Sequence, residues 1–394
     1  MKYDMIVDDA ALAELCADLS GATRLGIDTE FMRERTYRPK LGLVQISDGE
    51  RHALVDPLAV GNLEPLFGLL RDEKILKILH APREDLEIFV DRSGSVCAPI
   101  FDTQIAAAFG GVGYSMSYQN LVRELLGEQV SKVQTRTDWL RRPLSQDQER
   151  YAILDVVHLH ALHDRLLERL RERGRESWAE EEFRVLERIA VDEDPRQYYR
   201  RVKQSWRLTR RQLGVLRELC AWREEEAFER DVIRPNVVAD DALVDLAKMQ
   251  PKKRRELSSL KRLHPREISR SGDVLLEKIA EARALPDSEL PEGIPAPISD
   301  PVVVARADFL STAVRMRAIE MQISPEVLCR KRSLEELAKR YLAGEEDPFP
   351  AELRGWRREV LGDYLLDLLR GRIGFRINPD PAGAPLGMFK IDDD

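Results

Sequence analysis

The chain has 394 residues, 43% of them hydrophobic and 34% charged, which is too long for one ordinary core and too apolar for bulk disorder. No apolar run approaches the ~18 residues needed to cross a membrane, and the Met1-Lys2-Tyr3-Asp4 start lacks a signal-peptide core, so the expectation is a cytoplasmic protein with no membrane partner. The net charge of −8 is uneven: residues 196–290 carry 22 Lys and Arg against 16 Asp and Glu, leaving 40 against 54 elsewhere. An acidic body with a basic middle suits a metal-dependent enzyme on phosphate substrates, and also suits many proteins that are neither.

Short runs rich in β-branched residues at 24–28, 41–47, 52–56, 74–79 and 98–101 predict strands. Helical periodicity places helices at 8–19, 63–70, 82–90, 103–109, 117–126 and 145–170. Strands that cluster first and then alternate with helices predict a mixed sheet covered by helices. Beyond a charge-crowded stretch at 171–182 and Thr209 the strand signal stops. Residues 209–229, 240–249, 251–260 and 265–284 predict a compact all-α module. Five prolines between 286 and 301 predict an extended linker. A third helical piece runs from 302 to 369, with a capping box predicted at Ser333-Leu334-Glu335-Glu336, and a loose tail closes the chain. Cys16, Cys97, Cys220 and Cys329 show neither zinc nor redox spacing and are expected to be free thiols.

The chemistry begins at Ile27-Asp28-Thr29-Glu30-Phe31. Residues two apart on a strand share a face, so Asp28 and Glu30 present paired carboxylates. Such a pair resists burial unless a cation compensates it; alone, it reads equally well as a strand end in water. Two further segments add acids. Asp85 sits in the first turn of a helix that begins near Pro82, at the edge of an apolar stripe. Tyr151 and Asp155, four apart, share one face of a helix that also carries Ile153, Leu154 and Val157.

In this order the three segments resemble the DEDD superfamily of 3′–5′ exonucleases, with Asp28 and Glu30 in the first motif, Asp85 in the second, and Tyr151 with Asp155 in the third. Arg150 stands where one branch has His, and Tyr151 places the chain in the other, DEDDy, branch. Asp138-Trp139-Leu140-Arg141-Arg142-Pro143-Leu144 and Phe101-Asp102-Thr103-Gln104 are similar to the ribonuclease D family. Asp102 reads as a helix N-cap. Leu219-Cys220-Ala221-Trp222-Arg223, Pro235, Leu243 and Leu246-Ala247 resemble the HRDC domain, and Gly355-Trp356-Arg357-Arg358 looks like the second, weaker HRDC-like domain of that family.

The resemblance implies a ribonuclease H-like α/β exonuclease domain over 1–172 and a connecting segment at 173–208. It implies an HRDC domain at 209–285, a Pro-rich linker at 286–300, a second HRDC-like domain at 301–372 and a flexible tail at 373–394. It also implies removal of nucleoside 5′-monophosphates from RNA 3′ ends, with tRNA precursors as partners, and leaves monomer or homodimer open. Asp28, Glu30, Asp85 and Asp155 would hold two divalent ions, Mg²⁺ or Mn²⁺, as all-oxygen donors suggest. Tyr151 would orient the attacking water, and Phe31 and Met32 would pack on the terminal base. Lys252, Lys253, Arg254 and Arg255 would touch the RNA backbone, or simply form a solvated helix start. A DNA exonuclease of this fold and a non-catalytic RNA-binding scaffold are the competing readings. His158, His160 and His163 read as helix-surface residues, since no Cys or carboxylate completes a zinc set. The Gly110-Gly111 run follows a helix and does not read as a dinucleotide site.

Overall fold

The computed structural model describes residues 2–33, 36–130, 137–189, 194–379 and 386–391. Six strands form one mixed sheet in the order β1-β4-β3-β2-β5-β6. These are β1 (Asp4–Ile6), β2 (Arg24–Met32), β3 (Lys40–Ser47), β4 (His52–Val55), β5 (Leu76–Leu79) and β6 (Ile100–Asp102). β3 is antiparallel to β2 and β4, while β2, β5 and β6 run parallel. Strand β1 was not expected: its three residues are too few to show a period of two, and it forms by parallel pairing with β4.

Helices α1 (Asp9–Leu19), α2 (Glu64–Arg71), α3 (Arg83–Ser93), α4 (Thr103–Phe109) and α5 (Tyr118–Leu126) follow the predicted spans closely. The single helix expected over 145–170 is two, α6 (Gln146–Val157) and α7 (Leu159–Glu172), joined at His158. Periodicity continues through the joint, so the sequence pattern conceals it. α8 (Glu176–Ile189) occupies the charge-crowded stretch, where an apolar face at Ala179 and Phe183 is buried.

The middle module has α9 (Arg210–Glu229), α10 (Arg234–Val237), α11 (Asp240–Met249), α12 (Arg254–Leu257) and α13 (Pro265–Ala284) around a core of its own. Tyr199, Val202 and Leu208 join that core. The helix expected over 251–260 shrinks to α12, since only Arg254–Leu257 is α-helical. In the Pro-rich stretch Leu290 and Pro291 are buried, and their carbonyls accept from Arg210 at 3.2 Å each. That stretch begins bound to the module.

The third piece holds α14 (Pro301–Met321), α15 (Pro325–Leu328), α16 (Lys331–Leu342) and α17 (Trp356–Leu369). α16 starts before the expected box, with Arg330 as N-cap, so Ser333 lies buried inside the first turn and caps nothing. Unlike the middle module, this piece shares the core of the sheet domain. Trp356, 1% exposed, stacks on Trp178 at 5.2 Å and meets Phe109 edge-on at 5.0 Å. Its indole N–H donates to Glu182 at 2.9 Å, and Arg175 donates to the carbonyls of Phe109 and Met321. Residues expected as a loose tail include an antiparallel hairpin, β7 (Ile373–Ile377) and β8 (Leu386–Lys390).

All four cysteines are free thiols. Among the described residues no helix is long and apolar enough to cross a membrane.

Candidate active site

β2 pairs with β5 only from Arg24 to Gly26, yet stays paired with β3 as far as Met32. From Ile27 onward one edge of β2 is therefore open, at the carboxyl end of the parallel strands, where α/β sheets commonly place their ligands. Asp28 and Glu30 lie on this stretch and face the same way, just before a bulge at Glu30/Phe31.

Asp155 reaches them from α6. The α6–α7 elbow can settle on the sheet because Gly26 offers no side chain: a Cβ there would lie 3.2 Å from Leu159 and 3.3 Å from the Val156 carbonyl. Tyr118 pins the elbow, donating its hydroxyl to the Leu154 carbonyl at 2.9 Å and accepting from the His158 N–H at 3.3 Å. One oxygen each of Asp28, Glu30 and Asp155 lies within 4.8 Å of the others.

Asp85 stands outside this trio. It is buried in the first turn of α3 and accepts from the Thr29 hydroxyl, while its charge acts on Asp28. The turn that delivers it is held by Asp102. That carboxylate caps α4 through the Gln104 N–H at 2.8 Å and also accepts from the Ala81 N–H at 3.0 Å. Ala81 has a positive φ of 53°, which an unstrained alanine avoids, and this bond helps hold it there. Asp102 is thus an N-cap, as expected, and one that also sets the start of α3.

The segment before α6 is fastened as firmly. Arg142 grips the buried Asp56, at 2.7 Å through Nη2, and donates to the carbonyls of Gly42 at 2.6 Å and Trp139 at 2.9 Å. Gly42 is required there, since a Cβ would sit 2.7 Å from the Trp139 carbonyl. Ser145 and Gln148 form a capping box, and the Gln148 amide donates to Thr137 at 2.9 Å. Tyr151, half-buried one turn before Asp155, lies 6.2 Å from the Trp139 ring.

The electrostatics show what the acids lack. Burial, followed by the charges of Asp85, Asp155 and Glu30, pushes Asp28 well above the carboxylate range. Burial and the neighbouring acids push Glu30 to about 9; burial raises Asp155 to about 7 and Asp85 to about 6. Burial and the same acids also raise Tyr151. No Lys or Arg pairs with these four carboxylates among the described residues. Asp85 and Asp155 are buried and Asp28 and Glu30 half-buried; such an uncompensated set of hard oxygen donors fits divalent cations, and neither sulfur nor imidazole is among them.

Phe31 and Met32 follow the acids on β2 and are half-buried, opposite Leu41 and Lys40. The basic run lies in the middle module. All four side chains are exposed, but Arg254 also braces its own fold, donating to Ile268 O at 3.0 Å, Ser269 O at 2.8 Å and Asp273 at 2.9 Å. The histidines are not surface residues. His160 and His163 are buried on the inner face of α7, His160 Nε2 at 3.0 Å from the Ser47 carbonyl and His163 Nδ1 at 2.9 Å from Arg24. Sequence reasoning missed Thr29 and Tyr118. Thr29 sits between the two acids and was open to notice; nothing in the sequence marks Tyr118.

Comparison with known proteins agrees with this geometry. A 3′–5′ exonuclease family profile matches residues 3–171, and an HRDC domain profile matches 212–279. Ribonuclease D of Pseudomonas paraeruginosa is 43% identical over 93% of this chain and 98% of its own length. The chain belongs to the ribonuclease D family. Ribonuclease D of Zymomonas mobilis is 38% identical, over 95% of this chain and 96% of that protein. The crystal structure of Escherichia coli RNase D, described as an exoribonuclease involved in structured RNA processing, superposes with a TM-score of 0.84 at 34% identity. It covers 94% of this chain and 99% of that one. The protein is therefore a 3′–5′ exoribonuclease acting on RNA, and the DNA-directed and non-catalytic readings fall away. Its exonuclease family implies dependence on divalent metal, and Asp28, Glu30 and Asp155 form an acidic cluster that could hold such an ion.

Proposed function

We propose that Asp28, Glu30, Asp85 and Asp155 hold two divalent cations, Mg²⁺ or Mn²⁺, and that the protein trims tRNA precursors with 3′ extensions in the cytoplasm, releasing nucleoside 5′-monophosphates. The observation that carries this reading is the Asp28, Glu30 and Asp155 trio at the open edge of β2, with no cationic side chain to neutralise it among the described residues. When bound, such ions activate water and stabilise the departing 3′-oxygen of an in-line displacement. Asp28, Glu30 and Asp155 would be direct ligands, and Asp85, held by Thr29, would act from one step further out. Tyr151 keeps its proton at neutral pH, because burial and the neighbouring acids raise it. It is therefore suited to orient a water by hydrogen bonding and unsuited to act as a base. Phe31 and Met32, next along β2, would pack on the terminal base. Lys252, Lys253 and Arg255 would take backbone phosphates, with Arg254 shaping the surface that carries them. The domain division follows the same reading: nuclease, HRDC and a second helical domain docked on the nuclease.

The test is a 5′-labelled tRNA precursor with a 3′ extension, incubated with Mg²⁺, Mn²⁺ or EDTA. The expected outcome is stepwise shortening from the 3′ end with 5′-mononucleotide products, none in EDTA, and none with Asp28→Asn or Asp155→Asn. Substantial turnover by Asp28→Asn, or products carrying 3′-phosphate, would refute the site assignment.

A further inference from the structure

Gln45 lies in the middle of β3, opposite Asp28 on β2 and Leu54 on β4. Residues paired across an antiparallel ladder turn their side chains to the same face, with Cβ atoms about 4.5–5.5 Å apart. Gln45 thus points to the face that carries Asp28 and Glu30. This is the face covered by the α6–α7 elbow, where Gly26 meets Val156 and Leu159. The Gln45 side chain is fully buried, at 0% exposure. Neither its amide nitrogen nor its amide oxygen has a hydrogen-bond partner among the described residues.

A buried amide that gives up water and gains no partner is unfavourable, and an apolar side chain of the same size would serve a sheet–helix seam better. Sealed beneath the elbow, it is also out of reach of RNA. What stands directly across from it is a carboxylate. An ionised carboxylate only accepts hydrogen bonds, and an amide nitrogen brings two N–H donors. Carboxylates that ligate metals are themselves hydrogen-bonded, and those partners govern how well the ion is held.

We propose that Gln45 is a positioning residue for the metal site: its amide donates to the Asp28 carboxylate when that group is ionised around a divalent cation, and so fixes the carboxylate's orientation. This rests on the reading of Asp28 as a metal ligand. Gln45 touches neither RNA nor the reacting atoms and acts through Asp28.

Gln45→Met keeps the volume and removes the donors; Gln45→Leu is a second apolar replacement should methionine pack poorly. Three readouts apply to the full chain. These are the melting temperature in EDTA, calorimetric titration of the RNA-free protein with Mn²⁺, and kcat and KM on a short RNA at saturating Mn²⁺. The expected result is an equal or higher melting temperature, Mn²⁺ binding weakened about 10–100-fold, and a lower kcat at unchanged KM. Wild-type Mn²⁺ affinity together with wild-type kcat in either folded variant would overturn the proposal, whatever the melting temperature does. Asp28→Asn, measured alongside, separates the two levels. If it too keeps Mn²⁺ binding and turnover, the metal-site reading fails; if it loses them while the Gln45 variants do not, only the role of Gln45 fails.

Discussion

Asp28, Glu30, Asp85 and Asp155 each hold a proton more tightly in the folded chain than in the unfolded one, chiefly because burial disfavours their charge. Their contribution to stability is therefore complete below about pH 4, the ordinary carboxylate range. It is lost as pH rises through about 6 for Asp85, about 7 for Asp155 and about 9 for Glu30. In EDTA the melting temperature should fall between pH 5 and 9. Asp28→Asn should melt higher and flatten the slope, because an amide keeps the shape and removes the charge that its neighbours resist. A wild-type melting temperature that stays level across that window in EDTA would contradict the charge clustering described here. Tyr151 makes a separate prediction. A hydroxyl that only orients water should, in Tyr151→Phe, cost about 10²-fold in kcat with KM little changed. Unchanged kcat under conditions where chemistry limits turnover would make the residue structural.

At the scale of elements, the acids function because other residues aim the strands and helices that carry them. The Arg142 grip on Asp56 is one such device, since it ties the approach to α6 onto the sheet through Gly42. Burial alone would raise Asp56, but the Arg142 hydrogen bonds and nearby backbone N–H groups hold it below the carboxylate range. Arg142→Met leaves a buried charge unpaired, which should cost about 3 kcal/mol in denaturant unfolding, the low end for a broken buried pair because Arg142 is partly exposed. It should also lower kcat by displacing Tyr151 and Asp155. Wild-type stability in that variant would show that the pair contributes nothing. These devices mark how far the sequence was legible. Period-two spacing puts Asp28 and Glu30 on one strand face and period-four spacing puts Tyr151 and Asp155 on one helix face, but only the resemblance to the DEDD superfamily joined these to Asp85 as one candidate set. The strands β2 to β6 were readable from their apolar runs. What escaped notice depends on contacts between distant segments. The elbow at His158 is held by Tyr118, forty residues earlier, and β1 exists only through its pairing with β4. His160 and His163 seemed external because a charged helix gives no sign of which residues a sheet will cover.

For the whole molecule, chain order and packing order differ. The third helical piece returns to the nuclease and seals Phe109 and Trp178 beneath Trp356, whereas the HRDC module between them keeps its own core. A fragment ending near residue 199 contains every candidate acid, yet it would expose those aromatic rings, so truncation is a poor way to ask what the basic module does. Surface charge is the cleaner variable. All four residues of the run are exposed, but Arg254 is also hydrogen-bonded to α13. The triple variant Lys252→Ala, Lys253→Ala, Arg255→Ala should therefore fold normally while losing up to three phosphate contacts. Each contact contributes about 0.7–0.9 to the slope of log K against log salt, so the slope for RNA binding should become shallower by about 2. KM on a long structured RNA should rise, and kcat on a short oligonucleotide should stay unchanged, because the acids and Tyr151 are untouched. Including Arg254→Ala would confuse the result, since it removes a brace as well as a charge. Titration of wild-type and triple-variant protein with one RNA at several salt concentrations decides the matter. Equal slopes would mean that this run is a solvated helix start, and that whatever holds the RNA backbone lies elsewhere on the chain.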